Sequence, residues 1–97
     1  MIITTWNVNS IKVRLHAVLQ YLVEFEPDVL VLQETKTLDE NFPLHEINDA
    51  GYHAVFYGQK TYNGVAIISK NKPSSIEYNP IETPAKEARS LAVTIDN

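Results

Sequence analysis

Cysteine is absent from the 97-residue chain, so neither a disulfide nor a thiolate metal site can form. Only three glycines occur, and none belongs to a glycine-rich phosphate loop. No apolar run approaches the roughly 20 residues that a membrane-spanning helix needs, so no membrane partner is expected. The chain enters a strand pattern at once, with Met1-Ile2-Ile3-Thr4-Thr5-Trp6. No basic segment or cleavage site comes first, and the start does not read as a signal peptide. A cytoplasmic location is the default expectation. His16, His45 and His53 lack metal-ligand spacing, and no Ser/His/Asp arrangement suggests itself. What is present is 44% hydrophobic, which excludes a disordered tail. The length suits one small domain with a modest core.

The net charge is −4, which alone argues against a nucleic-acid partner. Its distribution says more. From Leu15 to Asp49 there are eight acidic residues against Lys36 alone. From Ala50 to Ile76 there are three lysines and no acid. Lys12 and Arg14 add another basic spot. A mixed solvated surface is one reading. The other is a phosphate-facing rim assembled from separated segments.

Hydropathy patterning gives the organisation. Ile2 to Trp6 reads as a strand that delivers Asn7 at its end. Ser10 is a helix N-cap by residue type. Ile11, Leu15, Val18, Leu19, Leu22 and Phe25 then recur at helical spacing, and Pro27 stops that helix. Val29-Leu30-Val31-Leu32 is a continuous, partly β-branched run, as in a strand covered on both faces. Strand, helix and strand make a parallel crossover unit, with both strands ending on one edge of the sheet. A second helix is expected over about Pro43 to Asp49, capped by Asn41, with Gly51 just beyond it. Tyr52–Tyr57 and Val65–Ser69 are expected to pair antiparallel across a loop holding the Asn63-Gly64 turn signal. Ile76–Tyr78 reads as a short edge strand, Asn79 to Lys86 as loop, and Ser90 to Ile95 as a strand. One long and one short helix cover one sheet face, so something else must cover the other.

Chemistry concentrates where the buried run ends in Gln33-Glu34-Thr35-Lys36. In sheets with parallel crossovers, ligands bind at the carboxyl ends of the strands. Glu34 is either a solvated strand-end acid paired with Lys36 or a ligand for a hard divalent cation. Asn7 is either a turn residue bonding its local backbone or a group that contacts the metal or orients Glu34. Asn9 carries the same ambiguity. Lys36 is a surface lysine or one that, beside Glu34, holds the carboxylate ionised or attracts a phosphate of a bound nucleic acid. Lys12, Lys60, Tyr62 and Arg89 are candidates for phosphate contact, each against an ordinary surface role. Trp6 reads as core, and His16 as a packed residue beside the helical stripe.

Together, Trp6-Asn7-Val8-Asn9-Ser10, Pro27 to Lys36, and Tyr62-Asn63-Gly64-Val65-Ala66 resemble the N-terminal part of the exonuclease III family. These are the apurinic/apyrimidinic (AP) endonucleases of the endonuclease/exonuclease/phosphatase superfamily. The resemblance runs across essentially the whole chain. Asn9 resembles the bacterial branch, since the animal enzymes tend to carry Asp there. Ser10 stands where Gly is usual. The resemblance implies an α/β (α+β) fold, the first half of a four-layer sandwich of the DNase-like type. It implies Glu34 as a direct Mg2+ ligand, with Mn2+ as a substitute, and Asn7 in the metal's immediate shell as a second catalytic and metal residue. Lys36 would sit beside the metal, and Lys12, Tyr62 and Arg89 would face the DNA backbone. The implied reaction is phosphodiester hydrolysis on double-stranded DNA, beside abasic sites or from 3′ ends.

Family members are much longer and carry further catalytic residues: a tyrosine, an Asp-x-Asn pair, a late Asn and a closing Ser-Asp-His. None has a counterpart in these 97 residues. The expectation is therefore an incomplete domain, residues 1–97 of a longer one, inactive alone. Two alternatives stay open. One is a phosphodiesterase of the same fold acting on RNA or phospholipid-derived substrates. The other is a non-catalytic fragment that associates, with the rest of the fold or with itself, through its uncovered sheet face.

Overall fold

The two most apolar strand runs become the two central strands of a mixed sheet. The computed structural model describes residues 1–81 and 87–96. Strand β1 (Ile3–Asn7) leads into helix α1 (Ile11–Phe25) and strand β2 (Val29–Gln33). A 3₁₀ turn (Asp39–Asn41) and helix α2 (Leu44–Asp49) follow. Strands β3 (His53–Tyr57), β4 (Val65–Ser69), β5 (Ser75–Tyr78) and β6 (Leu91–Thr94) complete the described elements. The sheet order is β1-β2-β4-β3, and β5 and β6 form a separate antiparallel ribbon. β1 and β2 run parallel, with Ile3 opposite Val29 and Asn7 opposite Gln33. β4 runs antiparallel to both β2 and β3. The α/β character and the crossover match the sequence expectation.

One sheet face is well covered. Leu30, Leu32, Ala66 and Ile68 are fully buried there against Ile11, Val18 and Leu22 of α1 and Ile47 of α2. Each of the leucine, isoleucine and valine side chains contributes about 1.5–3 kcal/mol on burial. Trp6 is half-buried and packs against this core. The α1 stripe departs from expectation at its end. Phe25 is exposed and stacks on Tyr21 with ring centroids 5.0 Å apart. His16 is also exposed rather than packed, since the buried positions Ile11, Val18 and Leu22 lie on the opposite face of the helix.

The opposite face carries Val29, Val31, Val55 and Ile67, and β6 lies against part of it. Between them an apolar groove of about 420 Å³ stays open, with Ile3, Val31, Ile67, Leu91 and Val93 among its walls. The expected cover is thus partly supplied by the β5–β6 ribbon, not by a helix. Ile76–Tyr78, expected as an edge strand, belongs to that ribbon. The expected loop from Asn79 to Lys86 lies outside the described residues from Glu82 onward.

Helix ends follow local chemistry. Ser10 caps α1, its Oγ accepting from the Val13 N–H at 3.4 Å. Glu26 ends the helix in a left-handed conformation (φ 46°), immediately before Pro27. The cap expected for α2 is corrected: Asn41 lies in the 3₁₀ turn, and Pro43 holds the N-cap position with no side-chain bond. Proline cannot donate from its own nitrogen, so it loses nothing where helical donors lack partners anyway. At the other end Gly51 (φ 90°) donates to the Asn48 carbonyl, and Tyr52 N–H donates to that of Ile47. This is the glycine-terminated closure expected there.

The Pro27-Asp28 pair clamps the amino end of β2. Asp28 Oδ2 accepts from the Ile2 N–H at 2.6 Å, and Asp28 N–H donates back to the Ile2 carbonyl at 2.9 Å. The buried Tyr52 hydroxyl donates to the Pro27 carbonyl at 2.8 Å, tying the end of α2 to the same point. Burial, with the Glu26 and Asp28 carboxylates behind it, pushes the Tyr52 hydroxyl above its usual range, so it remains a donor at neutral pH. Tyr52→Phe leaves that buried carbonyl without its partner and is expected to destabilise the fold by about 1–3 kcal/mol, read by urea denaturation. The Ile2 N–H holds the Asp28 carboxyl below its usual value. Its contribution is therefore complete above the unfolded-state value near pH ~3.9 and is lost as pH falls through the lower folded value. An acid titration of stability in wild type and Asp28→Asn is expected to show that component only in the wild type.

Candidate active site

The pairing of β1 with β2 does not stop where the strands end. Val8 N–H donates to the Gln33 carbonyl (3.1 Å), Ser10 N–H to that of Glu34 (2.9 Å) and Ile11 N–H to that of Thr35 (3.0 Å). On the other side, Thr35 N–H donates to the Gly64 carbonyl (3.2 Å) and Lys36 N–H to that of Asn63 (2.9 Å). Glu34 and Lys36 both have φ 54°, a left-handed conformation that costs a non-glycine residue about 1 kcal/mol or more. Four backbone hydrogen bonds around Glu34-Thr35-Lys36 hold that conformation, and Glu34 and Lys36 are presented outside the apolar core. Ser10, at φ 90°, explains why glycine is the usual residue there: the cap is kept at the cost of backbone strain.

Asn7, Asn9, Glu34 and Lys36 form a closed ring. Asn7 Nδ2 donates to Glu34 Oε2 in a short hydrogen bond. Asn9 N–H donates to Asn7 Oδ1 at 3.1 Å. Lys36 Nζ donates to Asn9 Oδ1 at 2.5 Å and lies 3.6 Å from Glu34 Oε1. The Asn9 N–H fixes which end of the Asn7 amide faces Glu34, because an N–H must meet the oxygen. Asn7 therefore orients the carboxylate, and its own oxygen is engaged by backbone. The Glu34 side chain is 44% exposed. At that exposure the Lys36 ion pair adds little stability, about 0–1 kcal/mol, so its weight is in placing the two groups.

Arg89 reaches the same place from the ribbon. It lines, with Gln33, Glu34, Asn63 and Gly64, a cleft of about 420 Å³. Its Nε lies 3.2 Å from Glu87 Oε1. Gln59, which no sequence pattern singles out, docks this segment: its Oε1 accepts from the Ala88 N–H at 2.7 Å and from Asn63 Nδ2 at 3.3 Å. Gly64 N–H donates to the Ala88 carbonyl at 2.9 Å. Lys12 and Tyr62 are exposed and are not among the residues that line the cleft. Lys12 follows Ile11, bonded to Thr35, and Tyr62 precedes Asn63, bonded to Lys36. The structure thus joins Asn7, Asn9, Glu34 and Lys36 directly, adds Arg89 at the cleft wall, and leaves Lys12, Lys60 and Tyr62 as exposed surface groups.

Among the described residues, no three His, Cys, Asp or Glu side chains converge as a metal cage. A zinc-type site of three or four protein ligands does not fit. A magnesium-type site does fit the donor set, because that ion takes one or two carboxylates and keeps several waters. Glu34 supplies an oriented, solvent-facing carboxylate of that kind.

An amide-oriented glutamate thus stands at the exit of two parallel strands in an α/β sheet. Residues 4–97 match the Endonuclease/Exonuclease/phosphatase family profile, and the chain belongs to that family. It is 37% identical over 92 residues to Exodeoxyribonuclease III of Haemophilus influenzae, covering 95% of this chain and 34% of that protein. It superposes with a TM-score of 0.90 and 44% identity on a 3′ phosphatase from Neisseria bound to a product DNA hairpin, covering 99% of this chain and 38% of that one. An AP endonuclease from Archaeoglobus fulgidus gives a TM-score of 0.91 and 43% identity, over 98% of this chain and 37% of that one. The chain therefore spans somewhat more than a third of the length of these relatives.

Gly64 is the packing residue of the site that its turn signal only half disclosed. It sits at φ 94°, and a Cβ there would lie 2.1 Å from Thr35 Oγ1. Gly64→Ala is expected to destabilise by about 1–3 kcal/mol, and loss of an ordered Glu34-Thr35-Lys36 segment is expected in its amide exchange.

Proposed function

We propose that this chain carries the glutamate of a magnesium-dependent DNA-repair nuclease, an AP endonuclease and 3′-end exonuclease that hydrolyses phosphodiesters. The observation that carries the reading is the Asn7–Glu34 clasp at the exits of two parallel strands, seen together with likeness to exodeoxyribonuclease III and AP endonuclease relatives. Residues 1–97 are read as the N-terminal part of one such domain, because the relatives are nearly three times longer. The open groove beside Ile3, Val31 and Ile67 is then the face on which the rest of the domain packs.

In this reading Glu34 holds Mg2+, and Asn7 keeps its carboxylate in one orientation. Bound magnesium supplies positive charge to the phosphate oxygens and to the leaving alkoxide. Lys36 steadies the glutamate from its other oxygen. Arg89 at the cleft wall, together with the exposed Lys12 and Tyr62, meets the flanking phosphates of double-stranded DNA, and the basic groups supply its salt-dependent binding. RNA and phospholipid-derived substrates are less well supported, since the relatives of higher identity are named for DNA work.

In the intact protein, Glu34→Gln is expected to lower magnesium-dependent cleavage of an abasic-site duplex by at least about 100-fold. Its unfolding free energy is expected to change by less than about 1 kcal/mol. Asn7→Ala, which removes an orienting partner, is expected to cost about 10–100-fold. An unchanged rate with unchanged magnesium dependence in Glu34→Gln would overturn the assignment.

A further inference from the structure

The chain's only Asn-Gly pair, Asn63-Gly64, stands on the wall of the cleft that also holds Glu34. With no side chain on the following residue, nothing shields the Asn63 Cγ from the Gly64 backbone nitrogen. Such a pair is a reactive setting for asparagine, a thermolabile residue. The fold holds both reacting groups. Gly64 N–H donates to the Ala88 carbonyl at 2.9 Å. The Asn63 amide donates from Nδ2 to Gln59 Oε1 and to Glu87 Oε2, each at 3.3 Å. Gln59 Oε1 also accepts from the Ala88 N–H at 2.7 Å. Each of these restraints passes through Gln59 or through Glu87-Ala88.

We propose that Asn63-Gly64 is a self-modification site, and that Gln59 with Glu87-Ala88 is the latch that keeps it unreacted. When the latch opens, the Gly64 nitrogen bonds to Asn63 Cγ and the Cγ–Nδ2 bond breaks. The Gly64 proton leaves with Nδ2 as ammonia, and the product is a cyclic imide. Water then opens the imide, giving aspartate by cleavage at Cγ or isoaspartate by cleavage at the main-chain carbonyl carbon. Neither step is a redox change, and water is the only co-reactant. Either product alters the cleft wall. An aspartate oxygen faces Gln59 Oε1 and Glu87 Oε2, both acceptors, where Nδ2 had donated, and it sets a like charge beside Glu87. In isoaspartate the Asn63 main-chain carbonyl, which accepts the Lys36 N–H at 2.9 Å, becomes a free carboxylate while the chain runs on through Cγ. The latch is therefore not remade once the pair has reacted.

The test incubates the intact protein in mildly alkaline buffer and follows conversion of Asn63 by mass spectrometry of the tryptic peptide Thr61–Lys70. Gln59→Ala is expected to convert roughly tenfold faster than wild type, the factor that a lost hydrogen bond gives to local opening. The same peptide free in solution is expected to convert faster still. Amide exchange in β2 and β4 separates local from global opening, and is expected to match wild type in Gln59→Ala. Should that variant lose protection there, Asn63→Asp decides the matter. As the aspartate product made directly, it is expected to exchange faster at Gly64, Ala88 and Arg89 with β2 and β4 unchanged. Equal conversion in wild type and a folded Gln59→Ala would overturn the latch. An unreactive free peptide would overturn the modification site itself. Wild-type exchange at Gly64, Ala88 and Arg89 in Asn63→Asp would overturn the claim that the product keeps the latch open.

Discussion

Everything at the site depends on the parallel pairing of β1 and β2 continuing beyond the strands. Regular pairing ends at Asn7 and Gln33, yet three further backbone bonds carry the two chains outward together as far as Ile11 and Thr35. Without them, Glu34, just beyond β2, would have no fixed relation to Asn7 at the end of β1, 27 positions away. With them, an amide and a carboxylate meet in one orientation. The bonds are individually worth about 0.5–1.5 kcal/mol. Their number matters because they must hold left-handed backbone at Asn9, Ser10, Glu34 and Lys36, which resists at a similar magnitude per residue.

The two ends of β2 divide the work. At its amino end, Pro27 and Asp28 are structural: one receives the Tyr52 hydroxyl, the other the Ile2 N–H. At its carboxyl end, Glu34 and Lys36 face solvent and a cleft. The intervening Val29–Leu32 run is the rigid spacer between them, buried against helices on one face and partly against β6 on the other. A motif that reads as one continuous sequence signature therefore contains a clamp, a core and a polar edge. Each answers to different physics: hydrogen bonding to buried or strained backbone, apolar burial, and solvated electrostatics.

Much of this was legible in the residues. Strand patterning, the helix ended by Pro27 and the Gly51 closure all follow from local rules, and they appear where expected. The parts that were not legible depend on contacts between distant segments. Phe25 belongs to the apolar period of α1 but stays exposed, stacked on Tyr21. Asn41 has a capping side chain but sits in a 3₁₀ turn, so Pro43 takes the boundary. Gln59 looks like any loop glutamine until the Ala88 and Asn63 groups are brought to it.

The sequence by itself determined the elements, the parallel crossover and the short list of polar residues at one sheet edge, because periodicity, capping and the succession of elements along the chain are local properties. Only the tertiary structure decided the roles within that list. Whether Asn7 turns its oxygen or its amine to Glu34 depends on the Asn9 N–H. Whether Lys36 is surface or site depends on where Asn9 Oδ1 lies. Those are questions of hydrogen-bond direction across a fold, and residue identity alone carries no direction.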